Sequence, residues 1–255
     1  MESRLIEYFF LSYWEFLIPA DLLLIIGVTC FTKLPKEKKG DIRYWLPLLI
    51  VFSTVFHENM GAYTNYNFEF KKSVNAYLGN TEYPHFNLWL FNIARRQIGA
   101  VLYLILIRAW LEPSKKKYMD WMILIFITAA CLLQVSGIEP LYFHQPIIFS
   151  IGANMILIGS GLYFINMITH ERYLASNPLR LPSFWQMTFI MFAFSLSYIS
   201  SVALLYLYEV NPVLGKALQQ IGDGMIIINL VVLTLSIASP LLPRIFENEP
   251  SYDSH

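Results

Sequence analysis

Charge is scarce in this chain. Only 14% of its 255 residues are Asp, Glu, Lys or Arg, against about a quarter in soluble proteins, and 18 basic residues face 18 acidic ones. No block is basic enough to follow a phosphate backbone, which excludes nucleic acid as an expected partner. Cysteine is scarce too. Cys30 and Cys131 both fall inside apolar runs, so no disulfide framework is expected and both read as small core residues. Nor is there a polar stretch long enough to form a soluble catalytic domain. What fills the sequence instead is hydrocarbon, with 56% of residues hydrophobic.

A helical span takes about 20 apolar residues. Runs near 5–31, 44–62, 86–111, 118–137, 146–168, 183–208 and 213–242 satisfy that length. The expected fold is therefore all-α: a polytopic integral membrane protein with one seven-helix domain over 1–246 and a short tail over 247–255. The first run has no basic segment before it and no small-residue cleavage site, so it is expected to be a retained span and not a signal peptide. Residues 63–85, YTNYNFEFKKSVNAYLGNTEYPH, are too polar to span and read as a structured cap or interfacial segment.

Lys and Arg near span ends are retained on the cytoplasmic side. Lys33, Lys36, Lys38, Lys39, Arg43, Arg108, Lys115, Lys116, Lys117, Arg172, Arg180 and Arg244 collect on one side of the seven runs; Arg4, Lys71, Lys72 and Lys216 fall on the other. The expected orientation places the N-terminus outside, the 63–85 loop outside and the tail in the cytoplasm, in an inner or plasma membrane whose lipid is the first partner.

Arg95 and Arg96 belong to neither side. At 1.5 Å per residue they lie about 14 Å into the third span, where an arginine costs about 2.5 to 3.5 kcal/mol unless it is answered. Other polar groups share that outer stratum: Glu15, His57, Glu58, Asn92, and the arc of Lys216, Gln219, Gln220 and Asp223. Two readings are open. Glu15, His57, Glu58, Asn92, Arg95, Arg96, Gln219, Gln220 and Asp223 line an outward-facing pocket for a small external ligand, or the acids and arginines form a salt-bridge cluster pinning spans 1, 2, 3 and 7. Asp21, Asn166 and Asn229 lie deeper and read as amide and acid groups bonding across helices. Gly152 and Gly159, like Gly215 and Gly222, recur at seven residues and read as close-packing points.

Several chemistries fail on their ligand sets. Ser53-x-x-x-His57 is similar to one element of membrane hydrolases that hold zinc with three histidines, but those enzymes need a His-x-x-x-His pair on the last span, and the last run here has no histidine. Lys216 is too shallow to carry a retinal Schiff base. No catalytic residue, metal site or cofactor is assigned.

The segment Asn177-Pro178-Leu179-Arg180-Leu181-Pro182-Ser183-Phe184-Trp185 and the start of the third span, Asn87-Leu88-Trp89-Leu90-Phe91-Asn92, resemble uncharacterised bacterial seven-helix proteins in which a Pro-x-Phe-Trp element precedes span 6. The resemblance implies a receptor-like sensory module that signals through a separate membrane partner, such as a histidine kinase. Eleven residues follow Arg244, so no fused output domain is expected. The alternatives are a small transporter or permease subunit and, further off, a membrane enzyme acting on a lipid headgroup.

Overall fold

The computed structural model describes residues 14–250, apart from the side chains of residues 14, 172, 200–209, 212 and 219. Residues 5–13 of the first expected span lie outside it. Among the described residues the longer helices are α1 (Trp14–Lys33), α2 (Ile42–Tyr66), α3 (Phe68–Tyr77), α4 (Leu88–Trp110), α5 (Pro113–Val135), α6 (Pro146–Thr169), α7 (Pro182–Val210) and α8 (Pro212–Ala238). Among the described residues there is no strand. Proline opens α5, α6, α7 and α8, where its missing N–H would be unpaired in any case. Among the described residues five stretches are long and apolar enough to cross a membrane: Glu15–Lys33, Leu88–Trp110, Pro113–Val135, Pro146–Thr169 and Val213–Leu241.

Helices α2, α4, α6, α7 and α8 close into a ring, each packed on its neighbours, with α1 laid outside α2 and α8, and α5 outside α4 and α6. The outer pair accordingly expose large aliphatic side chains, Leu22, Ile25 and Ile26 on α1 and Trp121, Leu124 and Leu132 on α5. Apolar surface of that extent belongs in lipid, not in water. The protein is membrane-associated. Within the ring Leu46, Ile50, Leu104, Ile107, Ile156, Leu230 and Leu233 are buried in one core. Polar bonds stitch it: Trp110 Nε1 donates to Gln186 Oε1 at 2.7 Å, Tyr163 and Ser183 hydroxyls meet at 2.6 Å, and Asn59 Nδ2 donates to Asp21 at 3.0 Å.

Gly152 and Gly159 are close-packing points, as their spacing suggested. A Cβ on Gly152 would lie 2.9 Å from the Phe126 ring and 3.3 Å from Ala100, and one on Gly159 would lie 2.9 Å from the end of Met119. Gly222 is different, with nothing within 4 Å of its Cβ direction. The Phe126 ring is itself fully buried and cannot swing aside as the Met119 methyl can. Gly152→Ala is therefore expected to lower stability by about 1 to 3 kcal/mol through overpacking. Gly161→Ala, with nothing within 4 Å, should be neutral or slightly stabilising. Thermal unfolding of the two variants in one detergent checks this, and equal melting temperatures would refute the close contact of α5 and α6.

Two expectations are corrected. Cys30 is half-buried and Cys131 exposed, so neither is a core residue; both stand on the outer helices α1 and α5. The second helix runs on to Tyr66, four residues beyond the expected end at 62. The 63–85 segment is largely helical: Asn67 caps α3 by accepting from Phe70 N–H at 3.1 Å, and Asn75 Nδ2 donates to the Phe86 carbonyl at 2.7 Å. Its return depends on Gly79, which adopts φ +83°, open to glycine at little cost. The segment, read from its polarity as a cap or an interfacial segment, is structured.

At the opposite end the tail folds back on the start of α7. Glu249 accepts from Ser183 N–H at 2.7 Å and from Ser183 Oγ at 2.8 Å, Glu247 N–H donates to the Arg180 carbonyl at 2.9 Å, and Arg180 pairs with Glu247 at 2.8 Å. Burial pushes the Glu249 carboxyl up to about 7, against the opposing pull of its two Ser183 bonds and of Arg43. A raised carboxyl means that the docked tail holds its proton more tightly than the free tail. Docking is thus strongest below the ordinary glutamate range and weakens as pH rises through about 7. Hydrogen exchange at the Ser183 amide, corrected for its intrinsic pH dependence, should speed up between pH 5 and pH 8 (roughly the window of that titration) in the native chain and stay flat in Glu249→Gln. A flat native profile would show that the carboxyl does not titrate there.

Candidate functional site

The ring encloses a chamber of about 80 Å³ on the side of the α3 cap. Each wall helix contributes: Ile50, Ser53, Thr54 and His57 from α2, Arg95, Leu102 and Tyr103 from α4, Phe149 from α6, Phe194 and Ser197 from α7, Ile226 and Asn229 from α8. A second cavity of about 130 Å³ shares His57 and continues through Glu58, Asn65, Asn87 and Phe91 toward the α3 cap. Neither shares a residue with the third cavity, of about 250 Å³ and lined by Tyr44 and Glu249, under the docked tail.

The two arginines part company because α4 is not α-helical where they sit. Asn92–Ile98 forms a π-helical turn, in which i→i+5 bonds lower the rotation per residue and bring positions four and five apart onto one face. Asn92, Arg96 and Gln97 therefore point together at the α5–α6 loop. Asn92 Nδ2 donates to the carbonyls of Leu141 and Phe143, Gln97 Nε2 donates to Gln145 Oε1 at 3.0 Å, and Arg96 Nη2 bonds His144 Nε2 at 3.0 Å. His144 is held below its ordinary value of 6.5, first by burial and then by the adjacent Arg96, against the weaker pull of Glu139. A neutral ring can accept from the guanidinium, which also lies over the Phe91 and Phe149 rings at 4.9 and 5.4 Å. Arg95, on the other side of the turn, lines the chamber.

Of the nine residues singled out from sequence, His57 and Arg95 line the chamber and Glu58 lines the cavity beside it. Asn92 and Arg96 are buried, but against the α5–α6 loop. Glu15 is exposed at the start of α1, and Gln220 and Asp223 are exposed on α8, where no described side chain from Lys216 to Ile228 is buried. The Gln219 side chain lies outside the described residues. The acid–arginine ion pairs expected in the outer stratum are not formed. Among the described residues the ion pairs within 4.0 Å are Arg43–Asp41, Arg108–Asp120, Lys115–Glu112 and Arg180–Glu247. Glu58 and Asp223 feel the field of Arg95 from beyond that distance.

Sequence reasoning missed Tyr103 and the aromatic walls Phe149 and Phe194, which look like ordinary lipid-facing residues in a linear reading. Asn229 behaves as a cross-helix amide should, donating to Tyr103 Oη at 2.6 Å. Ser53, which drew attention only as part of an incomplete zinc pattern, is a wall residue. Among the described residues no group of three metal-binding side chains forms. No protein-family model, curated protein or solved structure matches the chain.

Proposed function

We propose that this chain is a receptor-like sensory module, a seven-span membrane protein with its N-terminus outside and its tail in the cytoplasm, that holds a small external ligand in the chamber and signals through a separate membrane partner. The observation that carries the reading is a largely apolar chamber between five helices that carries a few polar groups, Arg95, His57, Tyr103 and Asn229 among them, and is separated from the tail end by the packed core of Leu46, Leu104, Ile107, Leu230 and Leu233. A channel needs a continuous polar path, whereas a chamber that ends at this core suits a bound ligand; a transporter's signature would be a broken span or an inverted repeat. Orientation rests on the asymmetry of Lys and Arg, which puts the chamber in the outer half.

A receptor of this form transmits only if its ligand binds one arrangement of the helices better than another. The π-helical turn supports such a pair of arrangements, because one segment contacts both the chamber, through Arg95, and the α5–α6 loop, through Asn92 and Arg96. Turns of this kind recur at functional sites. The basic stretches 33–43 and 112–117 are candidate partner contacts, beside a role as topology determinants attracted to anionic lipid. Photocrosslinking from Lys38 or Lys116 in native membranes is expected to trap one signalling protein, such as a histidine kinase. Recovery of lipid alone, with solute flux by the purified protein in liposomes, would overturn the reading in favour of transport.

A further inference from the structure

The chamber is unevenly equipped. The Arg95 guanidinium carries five N–H donors, yet among the described residues it donates no hydrogen bond and has no carboxylate within 4.0 Å; its one close contact is the Phe91 ring at 5.3 Å. Tyr103 Oη accepts from Asn229 and keeps its own proton to give. Ser53 and Ser197 add hydroxyls with no partner of their own among the described residues, whereas Thr54 has committed its proton to the Ile50 carbonyl at 2.9 Å. The acceptors are fewer: His57 Nδ1 and Asn229 Oδ1, both buried and unpaired. Neither Glu58 nor Asp223 lines the chamber.

Donors around a cation with no ion pair within 4.0 Å among the described residues, in a space walled by Phe149, Phe194, Ile226 and Leu102, describe the complement of a small anion with an apolar body. An unpaired guanidinium at this depth is costly, and a carboxylate answers it with two parallel bonds that chloride cannot make. If a water needs about 10 to 15 Å³ of such space, the chamber takes roughly six non-hydrogen atoms. From this geometry we infer that the chamber binds a short-chain monocarboxylate, its carboxylate on Arg95 and Tyr103 and its alkyl chain against Phe149, Phe194 and Ile226. His57 is shared with the adjoining cavity. The inference rests on the receptor reading for its purpose but not for its chemistry.

The test uses the full chain in lipid nanodiscs, with butyrate, butanol and butylamine as probes of one length and three charges. Calorimetric titration is expected to show saturable binding of butyrate alone. Arg95→Gln should weaken it at least tenfold, Arg95→Lys should keep part of it, and Tyr103→Phe should weaken it severalfold. Ser197→Leu, which fills the chamber without touching the arginine, should abolish it in a protein that still melts cooperatively, so a folding defect at Arg95 does not decide the matter. Butanol binding as tightly as butyrate with Arg95→Gln unchanged would overturn the carboxylate assignment while leaving a ligand chamber. Saturable binding of none of the three would overturn the inference outright, whereas the receptor reading would still be decided by its crosslinking partner.

Discussion

Glu139→Ala is expected to destabilise the protein by about 3 kcal/mol. The Glu139 carboxylate is 3% exposed and accepts from Ile147 N–H at 2.6 Å and Ile148 N–H at 2.8 Å, the first free amides of α6. Both bonds are charge-assisted and both amides belong to the positive N-terminal end of α6, so their loss leaves one buried and one part-buried donor without the carboxylate. The effect should spread. Gln145 Nε2 donates to the Glu139 carbonyl at 2.9 Å, and the same loop carries His144 and the carbonyls that hold Asn92. Glu139→Gln keeps one acceptor and the shape, and should lose roughly half as much. Thermal unfolding gives the magnitudes, and hydrogen exchange at residues 141–149 should rise more in the Ala variant than elsewhere in the chain. A loss under about 1 kcal/mol would mean that the loop is held by Asn92 and Gln97 without its cap.

Replacing Arg96 by methionine should have the opposite sign. Arg96 is buried, its Nε and Nη1 have no partner, and no carboxylate stands within 4.0 Å. Against the cost of an arginine at this depth, about 2.5 to 3.5 kcal/mol, it recovers one bond to a neutral His144 and the faces of two rings, together about 1 to 2 kcal/mol. Methionine fills the same volume against Phe91 and Phe149 with no charge to bury. Arg96→Met is thus expected to stabilise by about 1 to 2 kcal/mol, seen as a higher melting temperature at fixed detergent and pH. Arg96→Ala, which leaves a void, is expected to gain nothing. A clear loss with methionine would point to an acid or a bound anion answering Arg96. A gain would mean that the charge is kept for something other than stability, as expected of a residue linking the π-helical turn to a loop that can move.

The all-helical, membrane-associated character of the chain was determined by composition and by the spacing of its apolar runs, because burial in lipid is a property of a segment taken alone: length and hydropathy decide it before any helix meets another. The positions of the chain breaks followed from Pro, Gly and charge in the same way, as did the close-packing role of Gly152 and Gly159. Which polar residues share a space was not determined locally. Arg95 and Arg96 are adjacent in sequence and were expected to act as a pair, but a π-helical turn points one into the chamber and the other at His144. Nothing in NIARRQI announces that turn, since it arises from bonds between α4 and the loop at 139–145. Likewise α8 was expected to offer Gln220 and Asp223 to the pocket; it offers Ile226 and Asn229, because its buried face is set by where α2, α4 and α7 stand around it. Depth in the membrane can be counted along one helix, but the direction a side chain faces depends on its neighbours. Ring closure therefore decided that His57, Tyr103 and Asn229, far apart in sequence, surround a guanidinium with no ion pair within 4.0 Å among the described residues.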